Sequence, residues 1–194
     1  DGSATVNDQR ADKNKQNRIA VVKFAGDKTS KVGNDQYRQS LYWYNYTQVV
    51  SGYKAYTSGN KSELKTKVSS LHSAGATAAD YAMDLTKTLV DQSKTDANKR
   101  VVIFFTDGEP NHQSGFVDGV ANDAITSAKT IKADADIYTI GIFSGADVSI
   151  TGHSGSGSWS AKEKFNAFMH GLSSNYPDAE TYKKLGTRAK DSKG

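Results

Sequence analysis

The sequence contains no cysteine among its 194 residues, and only 2 prolines. The absence of cysteine excludes disulfide bonds, thiol catalysis and thiolate metal sites. No apolar run approaches the length that a membrane-spanning helix needs, so membrane insertion is not expected. The net charge of +4 comes from 25 Lys and Arg against 21 Asp and Glu. Because the basic residues are scattered and do not alternate with aromatics, the sequence argues against a nucleic-acid partner.

Apolar strands that alternate with amphipathic helices are the main signal for the fold. Nearly continuous apolar strands, joined by helices with one apolar stripe, indicate a parallel sheet that helices cover on both faces. The length is that of one domain with one sizeable core. The sequence therefore predicts a single α/β domain over residues 1–194. Its predicted strands cover residues 19–24, 47–53, 101–106 and 137–143.

Three segments of different composition interrupt this pattern. Residues 1–17 carry almost no large apolar side chains and are predicted to form an exposed loop. Residues 25–46 form a polar, aromatic-rich insertion, and residues 144–160 form a loop rich in Gly and Ser. Ser160 and Glu163 then have the spacing of a capping box, which predicts the start of a helix.

The stretch VVIFFTDGEP, residues 101–110, runs an apolar strand directly into Asp107. In an open parallel sheet, ligands bind beyond the carboxyl ends of the strands, where the loops converge. Thr77 lies in the loop between two predicted helices and is expected to reach the same edge. A hydroxyl and a carboxylate are oxygen donors suited to Mg²⁺, so Thr77 and Asp107 are candidate metal ligands. The alternative for Thr77 is a structural one, as the N-cap of the helix that follows.

Aromatic side chains cluster in the sequence YWYNY, within the insertion. Tyr and Trp offer a large contact area at low entropic cost, which is typical of recognition surfaces. The alternative is that the insertion packs its own aromatics into a small core. The cluster gives the candidate ligand-binding residues Tyr42, Trp43, Tyr44 and Tyr46.

Four segments carry a resemblance to a known family in their order and spacing. They are RIAVVKF at 18–24, AGATAADYAMDL at 74–85, VVIFFTDGEP at 101–110 and IYTIGIF at 137–143. Together they resemble a von Willebrand factor A domain, in particular the versions found in surface adhesins and pilus-tip proteins of Gram-positive bacteria. The resemblance implies a doubly wound, mostly parallel sheet of the Rossmann-like kind, with helices on both faces and one antiparallel edge strand.

The resemblance also implies a metal-ion-dependent adhesion site. Thr77 matches the second metal loop of the family, and Asp107 matches the third. The implied cation is Mg²⁺, or Mn²⁺ or Ca²⁺ in its place, and a carboxylate of the partner would complete its coordination.

The first metal loop of the family, D-x-S-x-S, is expected to be absent from this chain. The pentapeptide Asp1 to Thr5 spells D-x-S-x-T, but no apolar strand precedes it, so we interpret it as part of the exposed loop. We therefore expect metal binding to be weak or absent. The chain is also expected to lack the first strand of the family and its last strand and helix, which leaves a gap between residues 19–24 and 101–106.

These features predict a non-enzymatic adhesion module on the outside of a bacterium, in its cell wall or pilus. The expected partners are an extracellular host or matrix protein with an acidic group, and other pilus or surface subunits. The alternative is a structural pilus or surface scaffold whose metal site is vestigial or incomplete. A third class, an esterase, rests only on the stretch Gly152-His153-Ser154-Gly155-Ser156, which departs from a nucleophile elbow at its fifth position.

Overall fold

The computed structural model describes residues 2–12, 15–93 and 99–189. No helix in this described part of the chain is long and apolar enough to cross a bilayer. The strands are β1 (Arg18–Lys23), β2 (Lys28–Val32), β3 (Gln36–Gln39), β4 (Tyr42–Asn45), β5 (Thr47–Ala55), β6 (Val101–Thr106) and β7 (Asp136–Gly141). The helices are α1 (Gly2–Asp8), α2 (Ser58–Ser69), α3 (Ala79–Gln92), α4 (Asp118–Lys132) and α5 (Ala161–Leu172).

The first sheet has the strand order β1-β5-β2. Strand β5 is antiparallel to β1 and parallel to β2. The family pairs its strands at residues 19–24 and 47–53 as an antiparallel hairpin, and the resemblance therefore implies one antiparallel strand here, which the pairing of β1 with β5 confirms. The implied position of that strand at the sheet edge is wrong, because β2 extends the sheet beyond β5. The sequence of β2, KTSKV, is polar and mostly exposed, which explains why apolar periodicity does not detect it.

Strands β6 and β7 form a second, parallel pair, from Val101 opposite Asp136 to Thr106 opposite Gly141. One face of this pair packs into the main core, where Phe104 is buried. Helices α3, α4 and α5 supply most of that core, with Met83, Ala124, Ile125, Ala128, Ile131, Phe168 and Leu172 among its buried residues. The α/β class is confirmed, whereas one continuous, doubly wound parallel sheet is not observed among the described residues.

Strands β1 and β6 lie on facing sides of one groove and are not paired with each other within the described residues. Phe24, which follows β1, stacks on Phe104 of β6 with ring centroids 5.0 Å apart. The two sheets are therefore connected here by side-chain contact instead of a backbone ladder.

The amino-terminal segment differs from the exposed loop that the sequence predicts over residues 1–17. Residues Gly2–Asp8 form helix α1, and Asn7 is buried. The Asn7 amide donates hydrogen bonds to the carbonyls of Asn17 and Tyr56, at 3.0 and 2.9 Å. A helix this short is not stable by itself, so its order depends on such tertiary contacts, which a sequence pattern does not reveal.

The aromatic-rich insertion at 25–46 is ordered and contributes strands β2, β3 and β4. Strands β3 and β4 pair as an antiparallel hairpin, with Gln39 opposite Tyr42. Ser40, in the turn between them, has a φ of 56°, which non-glycine residues adopt mainly in tight turns.

The Gly and Ser-rich loop at 144–160 contains no helix or strand, as predicted. The predicted capping box at its end is confirmed. The Ser160 hydroxyl accepts from the Glu163 N–H at 3.2 Å, and the Glu163 carboxylate accepts from the Ser160 N–H at 2.8 Å.

Helix α5 approaches α4 closely at Gly171, and this contact can be tested. A Cβ at Gly171 would stand 2.7 Å from Ile125 Cδ1 and 3.2 Å from Leu185 Cδ2. We expect Gly171→Ala to lower the free energy of unfolding by about 1–3 kcal/mol, because the packed core must shift. Urea denaturation monitored by circular dichroism measures this change.

Gly119 in α4 provides the matched control, since a Cβ there meets no atom within 4 Å. We expect Gly119→Ala to leave stability unchanged or to raise it by up to about 1 kcal/mol, because Ala has the higher helix propensity. Equal effects of the two substitutions would contradict the close contact of α4 and α5.

Candidate metal and interaction site

Three loops meet at the carboxyl ends of β1 and β6 and are joined through their backbones. Thr77 and Asn111 form an isolated antiparallel bridge. The Thr77 N–H donates to the Asn111 carbonyl at 3.2 Å, and the Asn111 N–H donates to the Thr77 carbonyl at 3.0 Å. The Ala78 N–H donates to the carbonyl of Ala25, just after β1, at 2.9 Å. The loop before α3 and the loop after β6 therefore lie at the same edge.

Thr77 lies directly against the turn that carries Asp107. A Cβ built on Gly108 would stand 2.7 Å from Thr77 Oγ1, closer than real atoms approach. Thr106 fixes this turn, because its hydroxyl accepts from the Gly108 N–H at 3.2 Å and donates to the Gly108 carbonyl at 3.1 Å. Gly108 is thus required for the close approach of the two loops, and Thr77 and Asp107 line the same groove.

The side-chain oxygens of Thr77 and Asp107 have no hydrogen-bond partner in the part of the chain that the structure describes. Thr77 is half-buried and Asp107 is exposed. The alternative role of Thr77 as an N-cap is not observed, because Ala78 occupies the N-cap position of α3 and no side chain caps that helix. A hydroxyl and a carboxylate are therefore available side by side.

Asn111 places a third oxygen near this edge, which sequence reasoning missed. Its side-chain amide donates to the Glu109 carbonyl at 2.7 Å. The residue is only 7% exposed, and its Oδ1 is buried and has no hydrogen-bond partner among the described residues. An unpaired buried acceptor is costly and usually indicates a bound water or ion. A single Asn in a loop carries no sequence signal for this environment.

The donors at this edge fit a hard cation. Mg²⁺ takes oxygen ligands, binds through one or two carboxylates and keeps several waters, so a hydroxyl and one carboxylate are a partial but suitable set. Among the described residues, no group of three or more His, Cys, Asp or Glu side chains could hold a metal ion. A zinc-type site is therefore not found in this part of the chain.

His112 holds the loop after β6 against the start of α3. Its Nε2 lies 3.0 Å from both carboxylate oxygens of Asp80. Its ring stacks on Tyr81 with centroids 4.6 Å apart. No sequence pattern singles out the pair His112 and Asp80. Their contact joins residues 32 positions apart, and no short-range spacing indicates it.

The aromatic cluster of the insertion divides into a packed base and an exposed tip. Tyr44 and Tyr46 both pack on Tyr37, with ring centroids 5.7 and 4.6 Å apart. Tyr42 and Trp43 are 69% and 60% exposed. Each of the two interpretations of this cluster therefore describes one half of it: Tyr44 and Tyr46 belong to a small core, and Tyr42 and Trp43 remain candidates for recognition.

The base of the hairpin adjoins the loop that carries Thr77. A Cβ on Gly75, whose φ is +117°, would stand 3.0 Å from Tyr44 Cδ1. The Asn45 N–H donates to the carbonyl of Ala74 at 2.8 Å. The base of the hairpin and the loop of Thr77 are therefore neighbours at this edge.

The stretch around Ser154 does not have the geometry of a catalytic triad. In a triad, the imidazole lies between the serine and the acid. Here Ser154 Oγ and His153 Nδ1 both contact the Glu163 carboxylate directly, at 3.0 and 3.1 Å. Hydrogen bonds from the Ser154 and Ser160 N–H groups and from His153 hold the pKa of Glu163 well below its usual range. The cluster anchors the loop to the start of α5.

A comparison with protein families gives one match. The family model of the von Willebrand factor type A domain matches residues 1–174. The chain belongs to the von Willebrand factor type A family. No curated protein and no solved structure matches it. Von Willebrand factor A domains generally mediate protein–protein interactions and often bind metal ions.

In this von Willebrand factor A domain, helix α1 carries Ser3 and Thr5 of the pentapeptide Asp1 to Thr5. Asp1 lies outside the described residues, and Ser3 and Thr5 are exposed on α1. Through Asn7, helix α1 is bonded to Asn17, where β1 begins. Thr77 and Asp107 lie where β1 and β6 end. The structure thus anchors Asn7 of α1 at the edge where β1 begins, opposite to Thr77 and Asp107.

The contact of Gly108 with Thr77 leads to a prediction about the position of the hydroxyl. We expect Gly108→Ala to displace the Thr77 side chain and to lower the affinity for Mn²⁺ by roughly tenfold, about 1.4 kcal/mol. Both candidate ligands remain present in this variant. Isothermal titration calorimetry measures the affinity, and Gly152→Ala is the control because a Cβ at Gly152 meets no atom within 4 Å. Unchanged affinity in Gly108→Ala would remove Thr77 from the candidate site.

The exposed tip leads to a second prediction, because the chain contains only 2 tryptophans. Trp43 is 60% exposed. Trp159 packs against Tyr182 and His153, with ring centroids 5.5 and 5.3 Å away. We expect acrylamide to quench the fluorescence of Trp159→Phe several-fold more strongly than that of Trp43→Phe. Equal quenching would show that Trp43 is packed and would exclude it from the recognition surface.

Proposed function

We propose that this von Willebrand factor A domain is a non-enzymatic adhesion module that binds an extracellular partner through a divalent cation. Thr77 and Asp107 would hold the cation, which is Mg²⁺ or, in its place, Mn²⁺ or Ca²⁺. When bound, the cation supplies a Lewis-acid centre that accepts a carboxylate oxygen of the partner. The observation that carries this proposal is a pair of side-chain oxygens without a partner among the described residues, in two loops that the Thr77–Asn111 bridge holds together.

The protein supports this function by positioning rather than by chemistry. Its backbone hydrogen bonds fix both loops before any ligand arrives, so the ligands need little reorganisation on binding. The unpaired Oδ1 of Asn111 is a further acceptor for a cation or for one of its waters. One carboxylate and one hydroxyl are few donors, and we expect the free domain to bind a cation weakly.

The aromatic tip supplies the contact area that a single ion lacks. Leu41, Tyr42 and Trp43 are 77%, 69% and 60% exposed, next to one another at the end of the hairpin. Rigid aromatic side chains in such a position are typical of binding hot spots. The proposed partner therefore offers an acidic group to the cation and an apolar surface to the tip.

The proposed location is the outer surface of a bacterium, in the cell wall or a pilus. This part of the proposal rests on the resemblance of the four sequence segments to surface adhesins and pilus-tip proteins. The partners would be a host or matrix protein with an acidic group and other pilus or surface subunits.

The second candidate function is a structural pilus or surface scaffold with a vestigial or incomplete metal site. The observation that favours it is the small number of donors at the edge. Among the described residues, Thr77 and Asp107 are the two that we match to the metal loops of the family, and α1 is bonded through Asn7 to the start of β1. The two functions differ in whether the edge binds a cation at all.

Calorimetric titration of Mg²⁺ and of Mn²⁺ into the protein distinguishes the two functions. For the adhesion module we expect a binding heat that Asp107→Ala abolishes, because this substitution removes the only carboxylate among the two ligands. Thr77→Val keeps the shape of the side chain but removes its hydroxyl, and should weaken binding by roughly tenfold.

Glu109→Ala is the matched control, since Glu109 is a carboxylate two positions away in the same loop. We expect it to bind the cation like the unsubstituted protein. Absence of heat in the unsubstituted protein, or equal loss in Asp107→Ala and Glu109→Ala, would favour the scaffold. Thermal unfolding of each variant shows whether the fold is intact.

A further inference from the structure

A small cleft of about 260 Å³ lies beside Asp107, between the loop after β6 and the start of α5. Three segments of the chain line it: the loop after β6, the segment after β7 and the first turns of α5. Their lining residues are Asp107, Glu109, Phe143, Ser144, Ala161, Lys162 and Phe165. The cleft therefore connects a candidate cation ligand with a helix that the proposed function does not involve.

The apolar part of the cleft is aromatic and firmly packed. Phe143 and Phe165 stack with ring centroids 3.8 Å apart, and Phe165 is buried. Phe165 also contacts Phe168 of the main core, with ring centroids 6.3 Å apart. This packing fixes the start of α5 relative to the segment after β7. It also places the charged groups of the cleft beside an apolar surface, where charges interact more strongly than in bulk water.

Lys162 is the cationic residue of the cleft, and the neighbouring loop confines its side chain. A Cβ at Gly145 would stand 3.0 Å from Lys162 Cδ and 3.1 Å from its Cγ. Gly145 has a φ of +90°, so both the conformation and the close approach favour glycine. The buried Asn166 of α5 holds this loop, because its amide donates to the Gly145 carbonyl and its Oδ1 accepts from the Asp147 N–H, both at 2.9 Å.

The ammonium group of Lys162 forms no hydrogen bond and no ion pair within the residues that the structure describes. Asp147 lies in the adjoining loop, but its carboxylate accepts from the N–H and the hydroxyl of Ser149, at 2.9 and 2.6 Å. These hydrogen bonds, with a smaller contribution from the charge of Lys162, hold the pKa of Asp147 below its ordinary value. The positive charge of Lys162 is therefore available to a ligand.

Two other lysines near the starts of α4 and α5 are engaged within the domain. Lys164 and Lys183 both pair with Asp118, at 3.1 and 3.4 Å. Lys164 also lies over the ring of Phe116, 5.4 Å from its centroid. These contacts hold segments of the domain together, whereas Lys162 has no such structural task.

The charges of the cleft favour a single carboxylate as its occupant. Asp107 and Glu109 contribute two negative charges and Lys162 contributes one positive charge, so the net charge is −1. A divalent cation at Asp107 changes this net charge to +1. One carboxylate then brings it to zero, whereas a neutral amide or hydroxyl leaves the positive charge uncompensated.

We propose that Lys162 is a second anchor for the acidic group of the partner, and that it selects a carboxylate over a neutral oxygen ligand. The cation takes one oxygen of the carboxylate, and the Lys162 ammonium donates a hydrogen bond to the other oxygen. This inference rests on the proposed function, because it requires the cation at Thr77 and Asp107. Lys162 contacts the partner and is not a ligand of the cation.

The probes are acetyl-glutamate amide, which carries one carboxylate, and its neutral isostere acetyl-glutamine amide. Mn²⁺ is first bound to the protein, and the relaxation rate of water protons is then measured during titration with each probe. A probe that binds the ion displaces a coordinated water and lowers this rate. We expect the glutamate probe to bind more tightly than the glutamine probe.

Lys162→Met keeps the apolar stem that contacts Gly145 and removes the charge. We expect it to weaken binding of the glutamate probe about three- to fivefold, the upper range for an exposed ion pair. Its affinity for Mn²⁺ alone should stay equal or rise, because a positive charge near the cation is removed. Lys162→Arg keeps the charge and should bind the glutamate probe like the unsubstituted protein. High ionic strength should reduce the difference between Lys162→Met and the unsubstituted protein.

Lys65→Met is the matched control, since Lys65 is an exposed lysine of α2 that does not line the cleft. It changes the net charge of the protein by the same amount, and we expect it to bind both probes like the unsubstituted protein. An equal loss in Lys65→Met and Lys162→Met would overturn the proposal, because net charge alone would then explain the effect.

The measurements separate this inference from the proposed function. Normal Mn²⁺ binding together with unchanged affinity of Lys162→Met for the glutamate probe would overturn the role of Lys162 alone. A protein that binds no Mn²⁺ would overturn the proposed function and this inference together. Since Lys162 is exposed, we expect circular dichroism to show an intact fold in each variant.

Discussion

The backbone bridge between Thr77 and Asn111 is the constraint on which the candidate site depends. It joins the loop before α3 to the loop after β6 by two hydrogen bonds, of 3.2 and 3.0 Å. Without it, a hydroxyl and a carboxylate that lie 30 positions apart in the sequence would have no fixed relation. Since Gly108 has no side chain, the two loops can approach until the Thr77 side chain contacts the turn at Gly108. Main-chain hydrogen bonds therefore fix the relative position of the two loops, and the side chains of Thr77 and Asp107 remain available to a ligand.

Much of the fold could be predicted because the apolar periodicity of several strands and helices can be read from the sequence alone. Strands β6 and β7 and helices α3 and α4 contribute buried apolar residues to the core, among them Phe104, Ile137, Met83 and Ile125. Strand β2 and helix α1 could not be predicted, since KTSKV is polar and α1 depends on the amide of Asn7. Their order comes from contacts with distant residues, which leave no local pattern.

The candidate site could be predicted in part for a similar reason. A strand that runs into Asp107 points to the carboxyl edge, and sheet topology brings Thr77 to the same edge. The contributions of Asn111 and His112 depend on pairings across 34 and 32 positions, which only the folded chain reveals. The division of the aromatic cluster also follows from three-dimensional packing, because Tyr37 stacks on Tyr44 and Tyr46 but not on the two residues before them.

The two halves of that hairpin therefore contribute differently to stability. Substitution of Tyr44 would disturb the stacking on Tyr37 and the contact with Gly75, so its base must remain nearly constant for the chain to fold. Tyr42 and Trp43 are mostly solvated, and their replacement costs little stability. Such a hairpin can accept changes at its tip while the rest of the molecule stays unchanged, so the residues proposed for recognition can vary without loss of the fold.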